Sequence, residues 1–106
     1  MDNAKQEFLE HIKDKKVICA RIGIDKYNYG DKIKWFVLKP NYTDKDFNNF
    51  LDNLDFKYDG GYGSQELFGM ILFDDSFSDR GEYEGSEWWE NHKMPTIEDV
   101  INPLRQ

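Results

Sequence analysis

Between Thr43 and Leu54 the chain has one strongly favoured conformation, an amphipathic helix. Thr43 and Asp46 stand in the spacing of a capping box, in which each side chain satisfies the other's backbone N–H. Phe47, Phe50, Leu51 and Leu54 follow at i, i+3, i+4 and i+7. Each of these side chains stabilises the fold by about 1.5–3 kcal/mol when fully buried. The rest of the chain must therefore supply an apolar surface for this helix to lie on.

That surface is predicted from segments with a period of two. Val17 to Asp25 reads as a strand, with Ile18, Ala20, Ile22 and Ile24 on one side and Val17, Cys19 and Arg21 on the other. Lys26 to Asp31 turns the chain, and Ile33 to Lys39 returns until Pro40 ends it. The returning strand sets Ile33, Trp35 and Val37 against Phe36 and Leu38. Apolar residues on both sides predict a central strand. Leu67 to Phe73 is a second strong strand, turned by Asp74-Asp75-Ser76 and answered by Phe77 to Tyr83. Gly85-Ser86 is expected to end the pairing before Glu87-Trp88-Trp89-Glu90. Two further helices flank these hairpins. Asn3 and Gln6 cap one from about Ala4 to Asp14, with Ala4, Phe8 and Ile12 on its apolar side. Thr96 caps the other, lined by Ile97, Val100, Ile101 and Leu104 and limited by Pro103. The expectation is one α+β domain over residues 1–106, in the order α-β-β-α-β-β-α. Its antiparallel sheet has about four strands in two hairpins, with helices packed on one face.

Length and composition bound the chemistry. A chain of 106 residues has room for one core and little space for a large cofactor, so none is expected. The single cysteine, Cys19, cannot form an internal disulfide or hold zinc alone, which fits a reducing compartment. No apolar run approaches the ~20 residues of a membrane span, and the N-terminus has no secretory signal, so the default is cytoplasmic. The net charge of −7 is uneven. Residues 1–43 hold nine Lys/Arg against six Asp/Glu, whereas residues 44–90 hold three against thirteen. Such a chain repels phosphates and attracts basic proteins, so direct nucleic-acid binding is not expected.

Several chemistries can be weighed on these residues. Gly60-Gly61-Tyr62-Gly63 follows a helix and precedes a strand, the reverse of a phosphate loop, and reads as a connector. Asp74, Asp75 and Asp79 do not have the alternate spacing of a calcium loop. The many carboxylate pairs lack an evident pocket, so an enzyme with a shallow carboxylate site is the weakest alternative. Tyr27 and Tyr29, near Lys26, Lys32 and Lys34, read as a solvated hairpin end rather than a base-stacking platform. His11 and His92 have no nucleophile near them in sequence, and Cys19 reads as a small buried hydrophobe. Adjacent Trp88 and Trp89 must point to opposite sides of an extended segment, so one can serve as a surface anchor.

Asp59-Gly60-Gly61-Tyr62-Gly63-Ser64-Gln65-Glu66-Leu67-Phe68-Gly69, with Asp79-Arg80-Gly81-Glu82-Tyr83-Glu84-Gly85-Ser86-Glu87-Trp88-Trp89-Glu90, resembles a pattern of small bacteriophage and mobile-element proteins. Size and acidity are also similar to those of phage anti-defence proteins, including anti-CRISPR inhibitors. The resemblance implies a non-enzymatic inhibitor that occupies the basic nucleic-acid-binding surface of a host nuclease, such as a Cas protein. Asp74, Asp75, Asp79, Glu82, Glu84, Glu87 and Glu90 would form its contact surface, with Trp88 as anchor. In a regular strand Glu82 and Glu84 would repeat near the spacing of phosphates. The alternative is a structural or adaptor domain, or a homodimer, that associates through apolar surface.

Overall fold

A computed structural model describes residues 2–25, 33–58, 65–95 and 97–101. The elements run β1 (Asp2–Asn3), α1 (Ala4–Ile12), β2 (Val17–Ile24), β3 (Lys34–Leu38), α2 (Asp44–Asn53), β4 (Lys57–Tyr58), β5 (Leu67–Phe73), β6 (Ser76–Tyr83), β7 (Ser86–Lys93) and α3 (Ile97–Ile101). Five strands form one antiparallel sheet in the order β3-β2-β5-β6-β7, and β1 pairs with β4 in a small second sheet. The expected four-stranded α+β arrangement, α-β-β-α-β-β-α with helices on one face, is thereby overturned: the domain is mostly sheet.

The missing strand is β7, and the reason is the turn before it. Glu84 and Gly85 have φ of 52° and 88°. Two positive values in succession are what a two-residue hairpin turn requires. Tyr83 therefore pairs directly with Ser86, and Glu82 accepts the Gly85 N–H at 3.0 Å. Gly85, read from sequence as part of a strand break, is in the turn of a third hairpin.

Two further corrections concern strand position. β3 lies at an edge of the sheet, not at its centre, and Trp35 and Val37 are exposed. In β2 a register shift between Val17 and Cys19 brings Val17 into the core beside Ala20, Ile22 and Ile24, while Ile18 is only half-buried.

Both long helices form as their caps predict. Asn3 accepts from the Gln6 N–H at 3.0 Å, and Thr43 and Asp46 make the reciprocal capping box. Hydrogen bonds from Thr43, first through its backbone and then its side chain, hold the Asp46 carboxyl below its ordinary pKa. Phe8 of α1 meets Phe50 of α2 edge-on at 5.6 Å, and both join a core built with Ile22, Leu67, Ile71 and Trp89. Within α3, Ile97, Val100 and Ile101 are each at least 69% exposed, so this turn contributes no apolar side chain to the core. The Gly60–Gly63 connector, the Tyr27 and Tyr29 turn with Lys26 and Lys32, and Thr96, Pro103 and Leu104 lie outside the described residues.

Candidate functional site

Apart from Gly23, which Trp35 covers, the buried members of the five-stranded sheet face α1 and α2. Their alternate neighbours make up the opposite, open face of the sheet. Strand register places these in rows. One row, Val37-Arg21-Met70-Asp79-Glu90, crosses all five strands. A second runs Cys19-Leu72-Phe77-His92. A third carries Trp35, Gly23 and Phe68 on one side and Gly81 and Trp88 on the other. Trp35, Val37, Met70 and Trp88 are 39–60% exposed, and a trough of about 330 Å³ opens between Val37, Arg21, Met70 and Leu72.

Glycine decides how the tryptophans of this face lie. Gly23 is the cross-strand partner of Trp35, and Gly81 that of Trp88. A Cβ on Gly23 would stand 2.7 Å from the Trp35 ring, and one on Gly81 would stand 2.6 Å from the Trp88 ring. Each indole thus covers bare backbone and lies flat on the sheet. Arg21 stacks over Trp35, with its guanidinium 5.5 Å from the ring. The open face is therefore low in relief, aromatic at both flanks and charged in the middle row.

The acidic residues expected to form one contact surface are dispersed. Asp79, Glu90 and Trp88 lie on the open face. Glu82 is on the helix side at the end of β6, and Glu84 occupies the turn, so the expected regular spacing of these two is not formed. Asp74 and Asp75 lie at the other end of β6, about 24 Å away for a strand of this length. Glu87 is buried: it accepts the Glu66 and Leu67 N–H groups at 2.9 and 3.0 Å. Trp89 is buried on the helix side, so of the two adjacent tryptophans Trp88 is the surface one. Arg21, Val37 and Met70 were not singled out from sequence. For Val37 the signal was the doubly apolar pattern of residues 33–39, which fits an edge strand on an uncovered sheet as well as a central strand.

Two polar groupings could carry chemistry. Asp79, Glu90 and His92 bring one ligand atom each within 4.8 Å on the open face, where a divalent cation could be held. His92 Nε2 already lies 2.9 Å from Asp79 Oδ1, and its ring stacks on Phe77 at 5.1 Å. On the helix side, Arg80 is enclosed by Glu7, Tyr58 and Glu87, and its guanidinium lies 5.1 Å from the Trp89 ring. Burial and the Glu7 hydrogen bond raise the Tyr58 pKa. Burial also lowers that of His11, whose Nε2 is 2.7 Å from Ser78 Oγ. Arg80 engages both carboxylates, so this cluster ties α1, β4, β6 and β7 together rather than presenting a free acid and base.

Comparison of the chain with protein-family models, curated proteins and solved structures finds no match. No described helix is long and apolar enough to cross a membrane. The functional reading therefore rests on the geometry of the two sheet faces.

Proposed function

We propose that this protein is a non-enzymatic binding module whose contact surface is the open face of its five-stranded sheet. The observation that carries this reading is the alignment of Trp35, Val37, Met70 and Trp88, all exposed, on the face that α1 and α2 leave uncovered. An apolar sheet face of this extent gains free energy by being covered. Flat tryptophans suit a contact surface, because they present large area at little entropy cost. The partner should have an apolar centre, a cation to meet Asp79 and Glu90, and an anion to meet Arg21.

A second reading keeps the basic partner implied by the resemblance to anti-defence inhibitors. Glu82 and Glu84 at the tip of the β6–β7 hairpin favour it. A basic nucleic-acid-binding surface of a host nuclease would then dock against that hairpin, and the contact would weaken steeply with salt.

One experiment separates the two. The full chain is immobilised as wild type, Met70→Lys, Glu82→Lys/Glu84→Lys, and Leu9→Glu as a control on α1. Bound protein is then quantified. The open-face reading expects loss of binding with Met70→Lys alone. Retention by Met70→Lys with loss in the Glu82/Glu84 pair would overturn it in favour of the acidic hairpin.

A further inference from the structure

The middle row of the open face is self-complementary. It reads Val37-Arg21-Met70-Asp79-Glu90, with Met70 on the central strand β5, a cation on one side and two anions on the other. The tryptophan row has the same symmetry in apolar form. Trp35 over Gly23 lies on one side of Phe68, and Trp88 over Gly81 lies on the other. We propose that the occupant of this face is a second copy of the chain, stacked sheet on sheet about a two-fold axis along β5. This rests on the reading of the open face as the contact surface, and names what covers it.

Chemistry selects among the possible axes. A two-fold axis along β5 carries β2 of one copy over β6 of the other, and β3 over β7. Arg21 then meets Asp79 of the second copy, and the pair occurs twice. Trp35 meets Trp88, while Phe68, Met70 and Leu72 lie on the axis and face their own counterparts. A two-fold axis across the strands would instead set Arg21 on Arg21 and Asp79 on Asp79, which like-charge repulsion disfavours. Aligned sheets pack about 10 Å apart. That gap suits indoles lying flat over glycine.

The single chain leaves these charges poorly matched. Asp79 and Glu90 are direct cross-strand partners, an unfavourable juxtaposition of like charge that only His92 relieves among the described residues. Arg21 rests on Trp35, and among the described residues no ion pair joins it to a carboxylate. A second copy supplies Arg21 and Asp79 with their opposites and lays Val37 against Glu90. Five strands about 4.8 Å apart and three rows about 6.8 Å apart give roughly 1,000 Å² buried in total. That is at the lower bound for a specific interface, so a weak, concentration-dependent association is expected.

The test is sedimentation velocity on the full chain, from about 5 to about 500 μM. Wild type should pass from monomer to dimer. Arg21→Glu alone and Asp79→Arg alone should each weaken dimerisation at least about tenfold, because each sets two like-charge pairs across the axis. Mixed in equal amounts, the two variants should form a heterodimer near wild-type strength, since both cross-axis pairs become opposite again. This rescue also excludes misfolding as the cause of the single losses. A monomer at every concentration overturns the second copy as occupant, while the Met70→Lys comparison still decides the open-face reading. A dimer indifferent to Arg21→Glu, Asp79→Arg and Met70→Lys overturns the sheet-on-sheet packing and leaves the open-face reading to the binding comparison.

Discussion

The two faces of the same sheet solve opposite problems with the same residue types. On the helix side, Trp89 is buried, reaches toward Gly69 and lies over the Arg80 guanidinium, which Glu7, Tyr58 and Glu87 enclose. On the open face, Trp35 and Trp88 also lie over glycine, but no described helix covers them. Each tryptophan is thus seated on a glycine, and what differs is the layer above it. Where that layer is α1, the polar groups are ion-paired and buried, and the energy goes into folding. Where α1 and α2 leave it open, the same arrangement is a surface ready to be covered.

The contrast predicts a descending series of stability effects. Arg80→Met should cost the most, about 3–5 kcal/mol, because Glu87 and part of Glu7 are left as buried charges without their cation. Urea denaturation followed by far-UV circular dichroism measures it. A cost below about 1 kcal/mol would show that the Arg80 cluster does not hold the helix side together. Gly81→Ala should come next, at about 1–3 kcal/mol, since its Cβ must push the Trp88 ring aside. The same variant should raise acrylamide quenching of Trp88, read in a chain whose other tryptophans are replaced by phenylalanine. Met70→Lys should change stability by only about 0.5 kcal/mol while removing binding, the separation expected of a contact surface.

The helices and most strands were legible because their signals are local. The Thr43–Asp46 box and the Phe47, Phe50, Leu54 spacing needed nothing beyond one segment. The β6–β7 turn was missed because Gly85 is ambiguous: the same residue ends a strand or supplies positive φ to a tight turn, and only pairing across it decides. β3 was misplaced for a related reason. Two apolar sides fit a central strand as well as an edge strand on an uncovered sheet, and strand order is a non-local property. The acidic surface was overestimated because charge was counted along the sequence. Folding splits it, sending Glu87 inward and parting Asp74 and Asp75 from Glu84 by the length of β6.

The smallest effect in the series is a pH dependence confined to the helix side. His11 stacks on Trp89 at 6.0 Å, and its pKa lies below the ordinary 6.5. Burial is the main cause, Lys15 and Arg80 add to it, and Glu7 opposes them. Within the native chain the imidazole therefore resists a proton that the unfolded chain accepts near pH 6.5. Between the lowered native value and 6.5 the unfolded state binds more protons, so stability rises with pH across that window. This contribution is complete above the unfolded pKa and is lost as pH falls through the window, levelling off below the native value. Urea midpoints measured from pH 7 down to pH 5 should fall more steeply for wild type than for His11→Gln, which has no proton to take up. Parallel slopes for the two chains would mean that His11 is as easily protonated in the folded chain as in water. The polar half of the contrast between the two faces would then rest on Arg80 alone.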